Sequence, residues 1–255
     1  MKSTRALEWP WCFFVEREMG NMTNIALSGR LKALADFIDP GARAADIGTD
    51  HGYLPIWLLQ NGRCKRVIAA DVNEGPLAAA ARSAEEAGLR TQMDLRLGDG
   101  LTVLTPGEVD TVVIAGMGGE TILNMLTQAP WAVHPDISLI LQPQSKLPEL
   151  LCGLHEMGCM VEKAKLAEER GRIYLVIQAA QGPSDAPNGA GCYVPKALQT
   201  ARDPLLGAYI AQITQKLNKA ADGVAQSETE AHLSAELRQT IEELSKISIG
   251  GDPHE

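Results

Sequence analysis

The sequence predicts an α/β fold: a largely parallel sheet covered by helices on both faces, followed by a pair of longer helices. Three observations lead there. Short, almost continuously apolar segments alternate with helical ones, which is the pattern of strands buried on both faces. A glycine-containing turn follows the first of those strands directly. Beyond residues 181–192, a stretch rich in Gly, Pro, Ser and Asn, the apolar spacing becomes purely helical.

Taken in order, Leu27, Leu31, Leu34, Ala35 and Ile38 fall at helical spacing until Asp39-Pro40-Gly41 ends the segment. Strands are then expected at residues 44–47, 67–70, 93–97, 111–115 and 138–141, separated by helices that include 53–59, 76–87 and 121–126. After a helix at 147–157, two further strands (160–164 and 173–179) flank the charged loop Glu168-Glu169-Arg170-Gly171. Two strands without an intervening helix form an antiparallel hairpin, so the sheet closes at seven strands. Leu198, Leu205, Ile210, Ile213 and Leu217 mark one later helical stripe, and Leu233, Leu237, Ile241, Leu244 and Ile247 a second. Ser227 and Glu230 read as a capping box for the second helix. Lys196, Arg202, Lys216 and Lys219 on the first helix, against Glu228, Glu230, Glu236, Glu242 and Glu243 on the second, favour an antiparallel hairpin held by opposite charge. That hairpin either packs on the preceding domain or grips a substrate.

A chain of 255 residues accommodates one substantial domain and an appendage. We divide it into 1–23, an extension that reads as a disordered leader or an over-extended start before Met22; 24–182, the α/β domain; and 183–255, linker and helical hairpin. Five cysteines without a CxxC pair suggest reduced thiols in a cytoplasmic protein, with neither disulfides nor a metal site. Nothing resembles a membrane span or a secretory signal. The formal charge of -9 counts against non-specific nucleic-acid binding, although Arg63, Lys65 and Arg66, and separately Lys163, Lys165, Arg170 and Arg172, form local basic clusters.

The chemistry concentrates at strand ends. Asp46-Ile47-Gly48-Thr49-Asp50-His51-Gly52 follows the first strand and precedes a helix, so its glycines admit a ligand close to the backbone. Asp71, with Val72 beside it, ends the second strand 23 residues after Gly48, where a carboxylate accepts bonds from ribose hydroxyls. Gly98-Asp99-Gly100 ends the third, placing an acid suited to the amine of a bound adenine. Three acids in register favour a cationic nucleoside, S-adenosylmethionine, over an anionic dinucleotide. Ala115-Gly116-Met117-Gly118-Gly119 ends the fourth strand, where glycines offer room for a flat ring and Met117 an apolar wall. The Asn/Asp-Pro-Pro-aromatic tetrad of many amino-directed methyltransferases is absent there, which suits a ring nitrogen that already carries a lone pair and needs orientation more than a base. His51 and Tyr53 lie beside the cofactor turn and are candidates for substrate contact.

These strings, together with Leu27-Ser28-x-Arg30-Leu31, Tyr53-Leu54-Pro55, Val109–Gly119 and Leu139-Ile140-Leu141-Gln142-Pro143, resemble the bacterial tRNA (adenine-22)-N1 methyltransferases of the TrmK family over about residues 24–180. The resemblance implies a Rossmann-like seven-stranded class I methyltransferase domain with a C-terminal helical coiled-coil hairpin. It also implies that Arg30, Asp46, Gly48, Asp50, His51, Asp71, Asp99 and Ala115 to Met117 line the cofactor and substrate cleft. The expected substrate is tRNA, the expected cofactor S-adenosylmethionine, and the expected state a monomer or weak homodimer. A methyltransferase with another acceptor and a non-catalytic tRNA-binding module remain open alternatives.

Overall fold

The computed structural model describes residues 25–224 and 231–247. The proposed leader and the Ser227 to Glu230 capping box therefore lie outside the described residues. Helix α1 (Gly29–Phe37) precedes β1 (Ala44–Ile47), α2 (Tyr53–Gln60), β2 (Val67–Asp71), α3 (Glu74–Glu86), β3 (Met93–Leu97), β4 (Thr111–Gly118), α4 (Gly119–Gln128), β5 (Ser138–Ser145), α5 (Leu147–Glu156), β6 (Cys159–Glu169) and β7 (Arg172–Gln181). The C-terminal part adds α6 (Lys196–Ala201), α7 (Leu206–Val224) and α8 (Ala231–Ser245). The seven strands order as β3-β2-β1-β4-β5-β7-β6, parallel from β3 to β5, with β7 antiparallel to both β5 and β6.

Apolar continuity in the strands reflects burial on two sides. Val112 and Ile114 of β4 pack with Ile122 and Leu126 of α4 and Leu150 and Leu154 of α5, whereas Val113 packs with Leu34 of α1 and Leu58 of α2. Successive side chains point to opposite faces, so each strand feeds both layers. The α4/α5 layer continues without interruption into Leu206, Ile210, Ile213 and Leu217 of α7 and Leu244 of α8. Among the described residues no helix is long and apolar enough to cross a membrane.

Several boundaries differ from the sequence expectation. β4 runs to Gly118 and β5 to Ser145, beyond the expected apolar segments, because pairing continues at Ala115 with Gln142 and at Met117 with Pro143 through an irregular register. The expected four-residue charged loop is a two-residue turn. Glu168 and Glu169 are strand residues paired with Ile173 and Arg172, and Arg170 and Gly171 both have positive φ, as a tight hairpin turn requires. The first C-terminal stripe is two helices rather than one. Arg202 adopts a left-handed conformation ahead of Asp203-Pro204, and proline cannot continue a helix. Asp203 holds this break, accepting the N–H of Leu205 at 2.9 Å and that of Leu166 on β6 at 2.8 Å.

The α7–α8 pair is antiparallel: Ser234 and Asp222 mark the tip through Ser234 Oγ to Ala221 O (3.2 Å) and Arg238 to Asp222 (3.2 Å), while Glu243 returns to the Ala190 N–H at the base. Among the described residues the ion pair between the helices, Arg238 with Asp222, has its signs reversed from the expected arrangement, and the apolar stripe joins the two helices along their length.

Candidate active site

The order of the strands reverses between β1 and β4, and a crevice at the carboxyl ends of such strands is where open α/β sheets take ligands. On the β1 side the chain leaves the sheet at Gly48, whose φ of 76° is accessible to glycine and strained for other residues. Its N–H and that of Thr49 both donate to the Ala70 carbonyl, at 2.8 and 2.9 Å, which pins the turn to β2. A side-chain carbon at Gly48 would stand 2.2 Å from the Met117 Cε, so the Met117 thioether lies directly against the turn.

The pairing of Asp71 with Leu97 brings the ends of β2 and β3 together. Asp71 Oδ1 accepts the Asn73 N–H at 2.7 Å and so orients the carboxylate at the sheet edge. Val72 and Leu97, 61% and 54% exposed, offer an apolar surface beside it. Gly98 donates to the Asp71 carbonyl at 3.0 Å, and Asp99 stands exposed ahead of the short 3-10 helix Gly100–Val103.

On the β4 side, a cleft of about 630 Å³ gathers Arg30, Asp46, Gly48, Asp50, Tyr53, Ala115 and Gly116. Seven residues singled out from sequence thus share one wall system. Asp71, Val72, Gly98, Asp99 and Gly100 lie along the neighbouring strand ends rather than in its lining. His51 is exposed, stacks on Tyr53 with ring centres 5.4 Å apart, and approaches Asp50 at 3.5 Å.

Two expectations about β4 require correction. Met117 is not a wall of this cleft but packs beneath Gly48. Of Gly116, Gly118 and Gly119, only Gly116 lines the cleft. Gly119 starts α4 and is demanded by packing, since a side-chain carbon there would meet the Lys146 carbonyl at 2.2 Å.

The structure adds residues that sequence reasoning missed. Gln142 is fully buried, and its Oε1 accepts both the Gly116 N–H (3.2 Å) and Arg30 Nη1 (2.9 Å), while its Nε2 donates to the Pro143 carbonyl (2.8 Å). Arg30 Nε donates to Glu169 at 3.0 Å, and its guanidinium lies 5.7 Å from the Tyr174 ring centre. α1, β4, β5 and the β6–β7 hairpin are thereby locked together along one side of the cleft. The available signal was Gln142 itself, a polar residue within the apolar run Leu139 to Leu141.

Burial pushes the Asp46 carboxyl up to about 6; the Thr49 side chain opposes the shift and the Asp71 carboxylate adds to it. A raised carboxyl pKa means that the folded apo-protein binds more protons than the unfolded chain between pH 3.8 and about 6, so its stability falls as pH rises through that window. A cationic ligand reverses the preference by favouring the carboxylate. Affinity for S-adenosylmethionine is therefore expected to rise from pH 5 to about pH 7 and then level off, with Asp46→Asn flattening the profile. Calorimetric titration across that range is the check, and an equally steep profile in the variant would remove Asp46 as the cause.

Known proteins similar to this chain are methyltransferases. The family model described as a methyltransferase domain matches residues 27–177. The tRNA (adenine(22)-N(1))-methyltransferase of Bacillus subtilis is 36% identical over 165 residues, covering 65% of this chain and 69% of that protein. The crystal structure of the B. subtilis m1A22 tRNA methyltransferase TrmK superposes with a TM-score of 0.78 at 31% identity, covering 88% of this chain and 99% of that one. A Streptococcus pneumoniae relative in complex with S-adenosyl-L-methionine gives a TM-score of 0.74 at 29% identity over 86% of this chain and 99% of that one.

Proposed function

The chain belongs to the TrmK family of methyltransferase-domain proteins, and on that basis we propose that it transfers a methyl group from S-adenosylmethionine to N1 of adenine 22 in tRNA. The observation that carries the reading is the convergence of Asp46, Gly48, Ala115 and Gly116 on one cleft, with Asp71 and Asp99 at the adjoining strand ends. The residues fit the cofactor: carboxylates suit a sulfonium and its hydroxyls and amine, and the Gly48 turn leaves backbone within reach. When bound, S-adenosylmethionine supplies an electrophilic methyl group.

The chain's own residues do the rest. Asp71 accepts from the ribose hydroxyls, Asp99 from the adenine amine, and Val72 covers the adenine face. Asp46, ionised in the complex, offsets the cationic centre. On the acceptor side Arg30, held by Glu169 and Gln142, and the Gly116 backbone orient the target ring. The stacked His51 and Tyr53 rings contact it from the α2 side. Methylation of N1 leaves a cationic ring, which the carboxylates of Glu169 and Asp46 favour electrostatically. The reaction needs positioning rather than a strong base. The target base leaves the folded RNA before transfer, as chemistry on a stacked base requires. The protein works in the cytoplasm as a monomer or weak homodimer.

Labelled methyl transfer to an unmodified tRNA transcript tests the proposal. Incorporation is expected with adenine at position 22 and is expected to vanish when guanine replaces it. Undiminished incorporation into the guanine transcript would reject the assigned target, and transfer to a small molecule without tRNA would reject the substrate class.

A further inference from the structure

We infer that the groove between the β5–α5 connection, the start of β7 and α7 holds the RNA strand flanking the target adenosine, with Arg172 and Lys216 on its phosphates. The inference rests on the tRNA reading above and deepens it by placing substrate beyond the methyl-transfer cleft. The groove has a volume of about 700 Å³. Gln144 and Tyr174 line both it and the cleft, so the two spaces adjoin and a strand leaving one enters the other.

Its walls are fixed before any ligand arrives. Ile173 of β7 lies beyond the reach of β5, whose pairing with β7 spans Leu139 to Leu141. Gln212 of α7 takes the place of that missing strand: its Oε1 accepts the Ile173 N–H at 3.1 Å and its Nε2 donates to the Ile173 carbonyl at 3.0 Å. The Tyr209 hydroxyl adds a bond to the Tyr193 carbonyl at 3.3 Å. α7 is therefore seated on the sheet by directional bonds as well as by its apolar stripe, and a preorganised groove loses little entropy on binding.

Charge identifies the occupant. Lys146, also in the groove, is engaged by Glu149 at 2.7 Å and Glu120 at 3.6 Å. Arg172 and Lys216 are exposed and form no ion pair among the described residues. Unpaired cations retain their full attraction for phosphate, and a chain of net charge -9 must build its RNA contact from such local groups. Ile213, Leu147 and Pro148, which also line the groove, suit sugar and base faces rather than a second anion.

The test compares the full-length protein with two variants of equal charge loss. One is Arg172→Ala/Lys216→Ala. The other is Lys65→Ala/Arg66→Ala, in the separate hollow lined by Gly41 to Ala44 at the amino ends of the strands. Methyl transfer to tRNA is measured over a salt series, with calorimetry of S-adenosylmethionine binding as the folding control. For the groove variant we expect KM for tRNA to rise about tenfold, kcat to stay within about twofold, and the salt slope to fall by about 1.5–2, with cofactor affinity unchanged. The Lys65/Arg66 variant should match the unaltered protein. An unchanged KM and slope in the groove variant, or equal losses in both variants, overturns the inference while leaving the tRNA reading intact. Should the unaltered protein fail to methylate tRNA, the functional reading itself fails, and retained tRNA binding by the groove variant in a gel-shift assay then overturns the groove separately.

Discussion

Replacing Gly48 by alanine is expected to lower S-adenosylmethionine affinity by about 100-fold or more, equivalent to about 2.7 kcal/mol, with a corresponding loss of methyl transfer at ordinary donor concentrations. Two causes add. The φ of 76° costs an L-residue about 1–2 kcal/mol, and the added carbon, which would stand 2.2 Å from the Met117 Cε, pushes the flexible end of that side chain aside and narrows the turn where backbone must approach the donor. Shortening the colliding side chain separates them: Gly48→Ala/Met117→Ala should regain part of the affinity and thermal stability, leaving the backbone cost. Calorimetry with S-adenosylmethionine and a thermal melt on the same samples provide the readout. If the single variant binds normally, the Gly48 turn is not where the donor sits.

Removal of the Asp71 carboxylate should have an effect of similar size, confined to donor binding. Hydrogen bonds to a charged group are each worth about 1.5–3 kcal/mol, and Asp71→Ala would lose two to the ribose. The donor Kd should therefore rise about 100-fold or more, while kcat at saturating donor changes by less than about threefold because the group lies outside the lining of the cleft that gathers Arg30 and Gly116. Asp71→Asn retains an acceptor for the Asn73 N–H, which Asp71 now holds at 2.7 Å, and should fall between the two. Unaltered donor affinity in the alanine variant would exclude the ribose contact.

The Gly48 turn and the strand ends of β1 to β3 were legible because their determinants are local. A glycine turn after a strand and acids at successive strand ends are short patterns, and parallel pairing turns regular chain spacing into spatial register. The part of the cleft around Arg30 and Gly116 depends on contacts that sequence spacing does not display. Arg30 meets Gln142 from 112 residues away and Glu169 from 139. Glu169 read as part of a loop because four charged or small residues in a row look like solvent-exposed chain, whereas two of them extend the hairpin over the cleft. Gln142 stands in the string Leu139 to Pro143, where spacing does not show its role, since a buried amide reveals its purpose only through its partners. In the C-terminal part the apolar periodicity of Leu198 to Leu217 runs through both α6 and α7, so it hides the Asp203-Pro204 break between them.

The apolar layer that runs from α4 and α5 into α7 and α8 has no seam. The terminal helices are thus a share of the enzyme's interior, not a detachable handle, and swapping them between relatives to change RNA preference would require exchanging the matching face of the sheet as well.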